Sequence, residues 1–270
     1  MTLFKNVNKE KLKILLENGF HIDKPRQYEE LRYKGICTVI LFNSGKLLAQ
    51  GDDESLEKVK QLFKKERIAE EVKNEFKQTY GMVIGSDESL KGDTFGGIVV
   101  AGVKVDDKQR ELLKTMSIKD SKKLNDNQIL QLAPEIKKIV EYHIISLNPE
   151  EYNNEIANGS STELLNKLHR EVKNKLGSGK HIVDQYPGCN VGDIRETKAD
   201  SNYIEVATAS ILAREGAIKQ LAKLSLKLGM KVPKGSSNVK SALEFLKKSK
   251  KVPEEFVKLH FGNVKMFFRE

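Results

Sequence analysis

The sequence predicts an α/β fold built on a mixed sheet, and three observations carry that prediction. Short apolar runs, such as 82–86 (MVIGS) and 96–105 (GGIVVAGVKV), alternate with amphipathic segments of helical period. Two β-rich runs separated by Asn43-Ser44-Gly45 mark a hairpin at a sheet edge. Composition changes after Tyr80-Gly81, which sets a smaller N-terminal part against a larger C-terminal one.

Taken in order, residues 9–17 read as an amphipathic helix ended by Asn18-Gly19. The β-branched and aromatic run 31–42 predicts one strand, and 46–50 its hairpin partner. From 55 to 77, Leu56, Val59, Leu62, Phe63, Ile68, Val72 and Phe76 keep helical spacing, which predicts one long, highly charged helix. Beyond residue 80, strands are expected at 82–86, 96–105, 142–147 and 181–183. Helices are expected at 108–116, 127–140, 162–175, 203–227, 238–248 and 254–259. There is no internal repeat and no low-complexity tract.

Lys and Arg number 47 against 38 Asp and Glu, a net charge of +9 that suits a polyanionic partner and equally suits a solvated, lysine-rich surface. No run of 18 apolar residues exists, and MTLFKNVNKEKLK lacks the apolar core of a signal peptide. The expectation is a cytoplasmic protein with no membrane partner. Cys37 and Cys189 have no metal-ligand spacing and read as small buried hydrophobes.

Four acids share a context that invites chemistry. Asp87 ends the run MVIGS and Glu88 follows it; Asp184 follows Ile182-Val183; Asp200 precedes the helix at 203–227. Acids at strand ends and helix starts gather at one edge of an α/β sheet, where sites usually lie. Because neighbouring strand residues face opposite ways, both Asp87 and Glu88 can serve one site if the strand stops there and a turn brings Glu88 round. Clustered carboxylates need cations, and oxygen ligands favour Mg²⁺ or Mn²⁺ over Zn²⁺. Two such metals activate water and stabilise a leaving oxygen in phosphodiester cleavage. Each acid alone also has an ordinary reading: solvated strand-end carboxylates, and for Asp200 a helix-start residue. No Gly-x-Ser-x-Gly elbow, P-loop or dinucleotide fingerprint competes. His143 and His169 read as core or surface residues.

Four stretches in order, IGSDESLKGDTFGGIVVAGV, IKDSKKL (118–124), HIVDQY (181–186) and TKADSNYIEVATASILAR (197–214), resemble the motifs of the type 2 ribonucleases H. The VDQ motif followed by an aromatic, the segment Pro233-Lys234-Gly235-Ser236, and an N-terminal extension resemble bacterial ribonuclease HIII. The resemblance implies an RNase H-like fold over 80–270, a mixed central sheet flanked by helices. It also implies a small α+β domain over 1–75, similar to half of a TATA-box-binding protein, that binds substrate. The implied activity is metal-dependent endonucleolytic hydrolysis of the RNA strand of RNA/DNA hybrids by a monomer, leaving 5′-phosphate and 3′-hydroxyl ends. Asp87, Glu88, Asp184 and Asp200 are then the catalytic, metal-binding set, for Mg²⁺ or Mn²⁺. Ser89, Leu90, Lys91 and Gly92, with Lys122, Lys123 and Lys198, are implied substrate contacts, and Lys119 is a further candidate. Two positions depart from the family pattern. Asp200 stands where ribonuclease HIII usually has Glu, the ribonuclease HII habit. Leu90-Lys91-Gly92 replaces the usual Gly-x-Gly, and a Leu Cβ is expected to make positive φ costly and to crowd nucleic acid. Two alternatives stand beside hybrid cleavage: ribonuclease HII-like cutting at single embedded ribonucleotides, and a non-catalytic hybrid-binding protein.

Overall fold

The computed structural model describes residues 2–26, 28–71, 76–116, 118 and 124–268. Lys119, Lys122 and Lys123 lie outside the described residues. The chain divides into two compact units, Met1–Asn74 and Glu75–Glu270.

In the first unit, the described residues form an antiparallel sheet of order β2-β3-β4-β5-β1-β6. Its strands are β1 (Thr2–Lys5), β2 (His21–Asp23), β3 (Glu29–Lys34), β4 (Thr38–Phe42), β5 (Leu47–Gln50) and β6 (Glu70–Glu71). A 3₁₀ turn leads into the short helix α1 (Ile14–Glu17), and α2 (Asp53–Lys65) follows the hairpin. Asp52 caps α2, its carboxylate accepting the Ser55 amide at 2.9 Å. The apolar stripe Leu56, Val59 and Phe63 joins Phe4, Val39, Leu41 and Leu47 in one core.

Two expectations fail here. Residues 31–42 are two strands, because the chain reverses at Gly35, where an added Cβ would lie 2.7 Å from the Phe20 ring. The long helix stops at Lys65. Arg67 takes a φ of +50°, the Ile68 amide returns to the Phe63 carbonyl at 2.9 Å, and β6 then pairs with β1. Ile68 is still buried, so its apolar spacing fitted a helix for a tertiary reason.

The second unit holds a mixed sheet of order β11-β10-β7-β8-β9, as the alternation of elements predicts. It comprises β7 (Val83–Ser89), β8 (Ile98–Val105), β9 (Glu141–Leu147), β10 (Lys180–Asp184) and β11 (Ile194–Glu196). β7, β8 and β9 run antiparallel, whereas β10 is parallel to β7 and β11 to β10. The helices are α3 (Asp107–Thr115), α4 (Asp126–Ile139), α5 (Pro149–Ala157), α6 (Ser161–Leu176), α7 (Ala199–Asn202), α8 (Ile204–Leu228), α9 (Lys240–Lys248) and α10 (Gly262–Phe268). Capping boxes start four of them, at Asp106/Gln109, Asn125/Gln128, Asn148/Glu151 and Ser160/Glu163. The sequence reading lacked α5, β11, α7 and α10, and Asp200, expected ahead of a helix, lies within α7. The helix expected at 254–259 is instead a 3₁₀ turn, Pro253–Glu255, after which Val257 bridges Phe95.

The long apolar helix α8 packs on β7 and β8 with α3 and α4 beside it, and α6 packs on the same sheet with a separate core. Glycines permit these close approaches. At Gly85 an added Cβ would lie 2.3 Å from the Glu205 carbonyl carbon of α8. A buried ion pair anchors the same end of α8: Arg110 Nε donates to Glu205 Oε1 at 2.6 Å, as does the Thr79 hydroxyl at 2.6 Å. No helix among the described residues is long and apolar enough to cross a membrane.

Candidate active site

Asp87, Glu88 and Asp184 come close at the adjoining ends of β7 and β10 because β10 runs parallel to β7. Their register pairs Ile182 with Gly85 and Val183 with Ser86, so Asp184 follows level with Asp87. Asp184 Oδ1 accepts the Ala199 amide at 2.7 Å, which ties the end of β10 to α7 and so to Asp200. Lys198 makes that corner with a φ of +60° and is exposed.

Asp87 and Glu88 reach this edge differently from the expectation. The strand does not stop at Asp87. It continues to Ser89, with Asp87, Glu88 and Ser89 paired to Ala101, Val100 and Val99 of β8. No turn swings Glu88 round; the two carboxylates leave opposite faces of β7, as strand geometry requires. Asp87 turns to α8, on the side of Ser210. Glu88 turns to α6, where His169 Nε2 lies 3.4 Å from its Oε2.

Their electrostatics differ accordingly. Asp87 is buried, and desolvation, then the charges of Glu88 and Asp184, raise its pKa well above the carboxylate range; Ser210 acts the other way. Burial also works against the Glu88 anion. His169, followed by Lys91, outweighs it and holds the Glu88 pKa below its ordinary value. Lys91 Nζ stands 3.0 Å from Glu88 Oε1 and 4.6 Å from the centre of the Tyr186 ring. The Glu88–His169 contact is an ion-pair distance and not a formed hydrogen bond, since both facing atoms are otherwise unpartnered and buried.

Behind Glu88 runs a buried polar chain that sequence reasoning missed. The Ser86 hydroxyl lies 2.8 Å from both His169 Nδ1 and His181 Nε2. Burial, then the nearby His169, lowers the His181 pKa to about 4, so His181 is neutral at pH 7. A His169 Nδ1–H donating to Ser86, and Ser86 donating to His181 Nε2, joins the three groups and leaves His169 Nε2 facing Glu88. The available signal was His169 itself, set on the apolar stripe Leu165, Leu168, Val172 of α6.

The implied substrate contacts separate. Ser89 is half-buried at the strand end, Lys91 is engaged by Glu88, and Gly92 is exposed with open space where a Cβ would go. Leu90 does adopt the positive φ, +68°, but its side chain does not face outward. It is buried in the α8 core beside Gly96, so the expected crowding at its Cβ is corrected. Only its backbone remains available to a ligand. Among the described residues, no three His, Cys, Asp or Glu already enclose a metal position. A cavity of about 750 Å³ lies in the first unit, and none of the four acids lines it.

A mixed five-stranded sheet flanked by helices, with acids at the adjoining ends of two parallel strands, defines a ribonuclease H-like protein. The chain is similar in fold to Bst-RNase HIII, solved in complex with Mn²⁺, with a TM-score of 0.63 at 23% identity over 99% of this chain and 98% of that one. Aquifex aeolicus RNase H3 is 29% identical, with a TM-score of 0.57 over 96% of this chain and 100% of that one. A family model for ribonuclease HII matches residues 84–264. Ribonuclease HIII of Bacillus thuringiensis subsp. konkukian (strain 97-27) is 32% identical, with 86% of each chain covered. The chain belongs to the type 2 ribonuclease H family, among the ribonucleases HIII, and is a hydrolase of that family.

Proposed function

We propose that this protein hydrolyses the RNA strand of RNA/DNA hybrids at the β7–β10 edge, with Asp87, Glu88, Asp184 and Asp200 as the catalytic set. The observation that carries this reading is the buried Asp87 beside the charges of Glu88 and Asp184, an arrangement that calls for a cation. The donors are all oxygen, and Glu88 Oε2 is a buried atom with no hydrogen bond, which fits a hard divalent ion. Asp87, Glu88, Asp184 and Asp200 would hold Mg²⁺ or Mn²⁺. When bound, such ions supply Lewis-acid stabilisation of phosphate charge and a more acidic attacking water.

The chain's own residues do the rest. Ser210 stands beside Asp87, the Ala199 amide orients Asp184, and His169 holds the Glu88 anion ready. The turn after β7 lies beside these acids, where backbone amides can meet a ribose 2′-hydroxyl, the group that separates RNA from DNA. Lys91 and Lys198 are candidate phosphate contacts at the rim. Cleavage leaves 5′-phosphate and 3′-hydroxyl ends.

The expected result with a hybrid, a duplex holding one ribonucleotide, and plain duplex DNA is rapid cutting of the hybrid with Mg²⁺ or Mn²⁺ and none with EDTA. No cleavage of any substrate would sink the enzymatic reading. Asp200, which carries a ribonuclease HII-like carboxylate, favours a second reading in which the single ribonucleotide is cut as well. Equal rates on both substrates would support it.

Residues 1–74 are proposed as a TATA-box-binding-protein-like platform for substrate, on the strength of an antiparallel sheet with exposed Ile22, Tyr28 and Ile36. Their removal is expected to weaken hybrid binding about tenfold or more and to flatten its salt dependence, with single-turnover cleavage at saturation little changed. Unchanged affinity and salt slope would assign the platform another role.

A further inference from the structure

Lys258 is the one lysine buried among the described residues, with no exposed surface. Its Nζ donates to the Leu90 and Asp93 carbonyls, each at 2.5 Å, and lies 5.3 and 5.2 Å from the centres of the Tyr152 and Phe261 rings. Desolvating an ammonium is costly, and burial here lowers the Lys258 pKa to about 7, although Asp93 opposes the shift. A methionine of similar length would fill the slot without that cost. It would also take the donor away from the Leu90 and Asp93 carbonyls, so the charge is tied to the conformation of this turn.

The turn it grips is committed on its inner side. The Asp93 carboxylate accepts the Gly235 amide at 2.6 Å, the Thr94 amide donates to the Gly235 carbonyl at 3.0 Å, and the Lys258 amide donates to the Thr94 carbonyl at 3.0 Å. The segment containing Pro233 to Ser236 thus braces the turn from a second side. By contrast, the amides of Lys91 and Gly92 donate to no described residue. The left-handed conformation of Leu90 is unfavourable for a residue with a Cβ. Its buried side chain and the ammonium on its carbonyl hold it there.

We propose that Lys258 is a positioning residue for substrate selection. By drawing the Leu90 and Asp93 carbonyls inward, it presents the intervening amides of Lys91 and Gly92 to the ribose of the bound strand. This rests on the reading of the β7–β10 edge as the place where nucleic acid is cut.

The test measures binding in the full-length Asp87→Asn background, which separates recognition from cleavage. Affinities are compared for a short RNA/DNA hybrid and a DNA duplex of the same sequence, with Lys258 intact or replaced by Met or Gln. The expected result is that Lys258→Met lowers the hybrid-over-DNA preference about tenfold, one charged hydrogen bond's worth of ordering, with DNA affinity unchanged. Lys258→Gln, which keeps a donor, restores part of the preference. Hydrogen exchange should quicken across 88–95 and nowhere else. A folded Lys258→Met protein with the original preference, or with equal losses on both ligands, overturns the proposal. If Lys258→Met does not fold, the Gln variant bears the same comparison. No preference for hybrid even with Lys258 intact would instead overturn the reading of the edge on which the proposal stands.

Discussion

Asp87→Asn is expected to abolish cleavage and, in metal-free buffer at neutral pH, to raise the melting temperature. Loss of the central carboxylate should lower turnover by a factor on the order of a thousand or more. The stability gain follows from electrostatics. Desolvation and the neighbouring Glu88 and Asp184 raise the Asp87 pKa, so the folded state takes up a proton that the unfolded state does not, above the ordinary value of 3.8. A raised folded pKa contributes stability below the unfolded pKa, and that contribution is lost as pH rises through the folded one. Above the unfolded pKa the wild type therefore loses stability that Asn does not, and each kcal/mol relieved is worth roughly 2–4 °C. The difference should vanish in acid, where Asp87 is protonated. Added Mg²⁺ should raise the melting temperature of the wild type and much less that of the variant. Full turnover in the variant, or a lower melting temperature in EDTA at neutral pH, would remove Asp87 from the site.

Gly85→Ala is expected to cost about 3 kcal/mol or more and to disable the site. A Cβ at residue 85 would lie 2.3, 2.5 and 2.6 Å from the Glu205 carbonyl carbon, the Val206 nitrogen and the Glu205 oxygen. All three are backbone atoms of α8, so no rotamer change relieves the overlap. Arg110 and Thr79 pin the same end of the helix through Glu205, so lifting α8 would strain a buried ion pair. Since α8 carries Ser210 and follows α7, movement there displaces the neighbour of Asp87 and the residues around Asp200. Thermal and urea unfolding, with cleavage assayed on the folded fraction, tests this. Gly92→Ala, whose Cβ meets open space, is the stability control and should leave the melting temperature near that of the wild type. An unchanged midpoint for Gly85→Ala would mean that the helix–strand approach is softer than its distances imply.

Much of the fold was legible. The alternation of apolar runs with amphipathic segments placed the main strands and helices of the second unit within a few residues, because those elements bury one face and keep regular spacing. The short strands β1, β2, β6 and β11, and helix α5 with its weak apolar stripe, left too little pattern. The helix expected through residue 77 failed for a related reason. Ile68 sits at helical spacing from Leu62 and Phe63, yet it reaches the same core after a left-handed reversal at Arg67. Periodicity reports which residues are buried, not the path between them.

At the candidate site, the residue types and their order came from the sequence: two acids after MVIGS, one after IVD's apolar pair, and one ahead of a long helix. Those carboxylates determined that any chemistry here involves oxygen donors and positive charge. Only the tertiary structure decided that β7 runs on to Ser89, because β8 supplies pairing partners that no local pattern reveals. It also decided that Asp87 and Glu88 work from opposite faces, that His169 backs Glu88, and that Leu90 turns into the core over a buried Lys258. The physical reason is separation along the chain. Local spacing describes neighbours a few residues apart, whereas burial, like-charge proximity and backbone approach here join residue 85 to 205, 88 to 169, and 90 to 258.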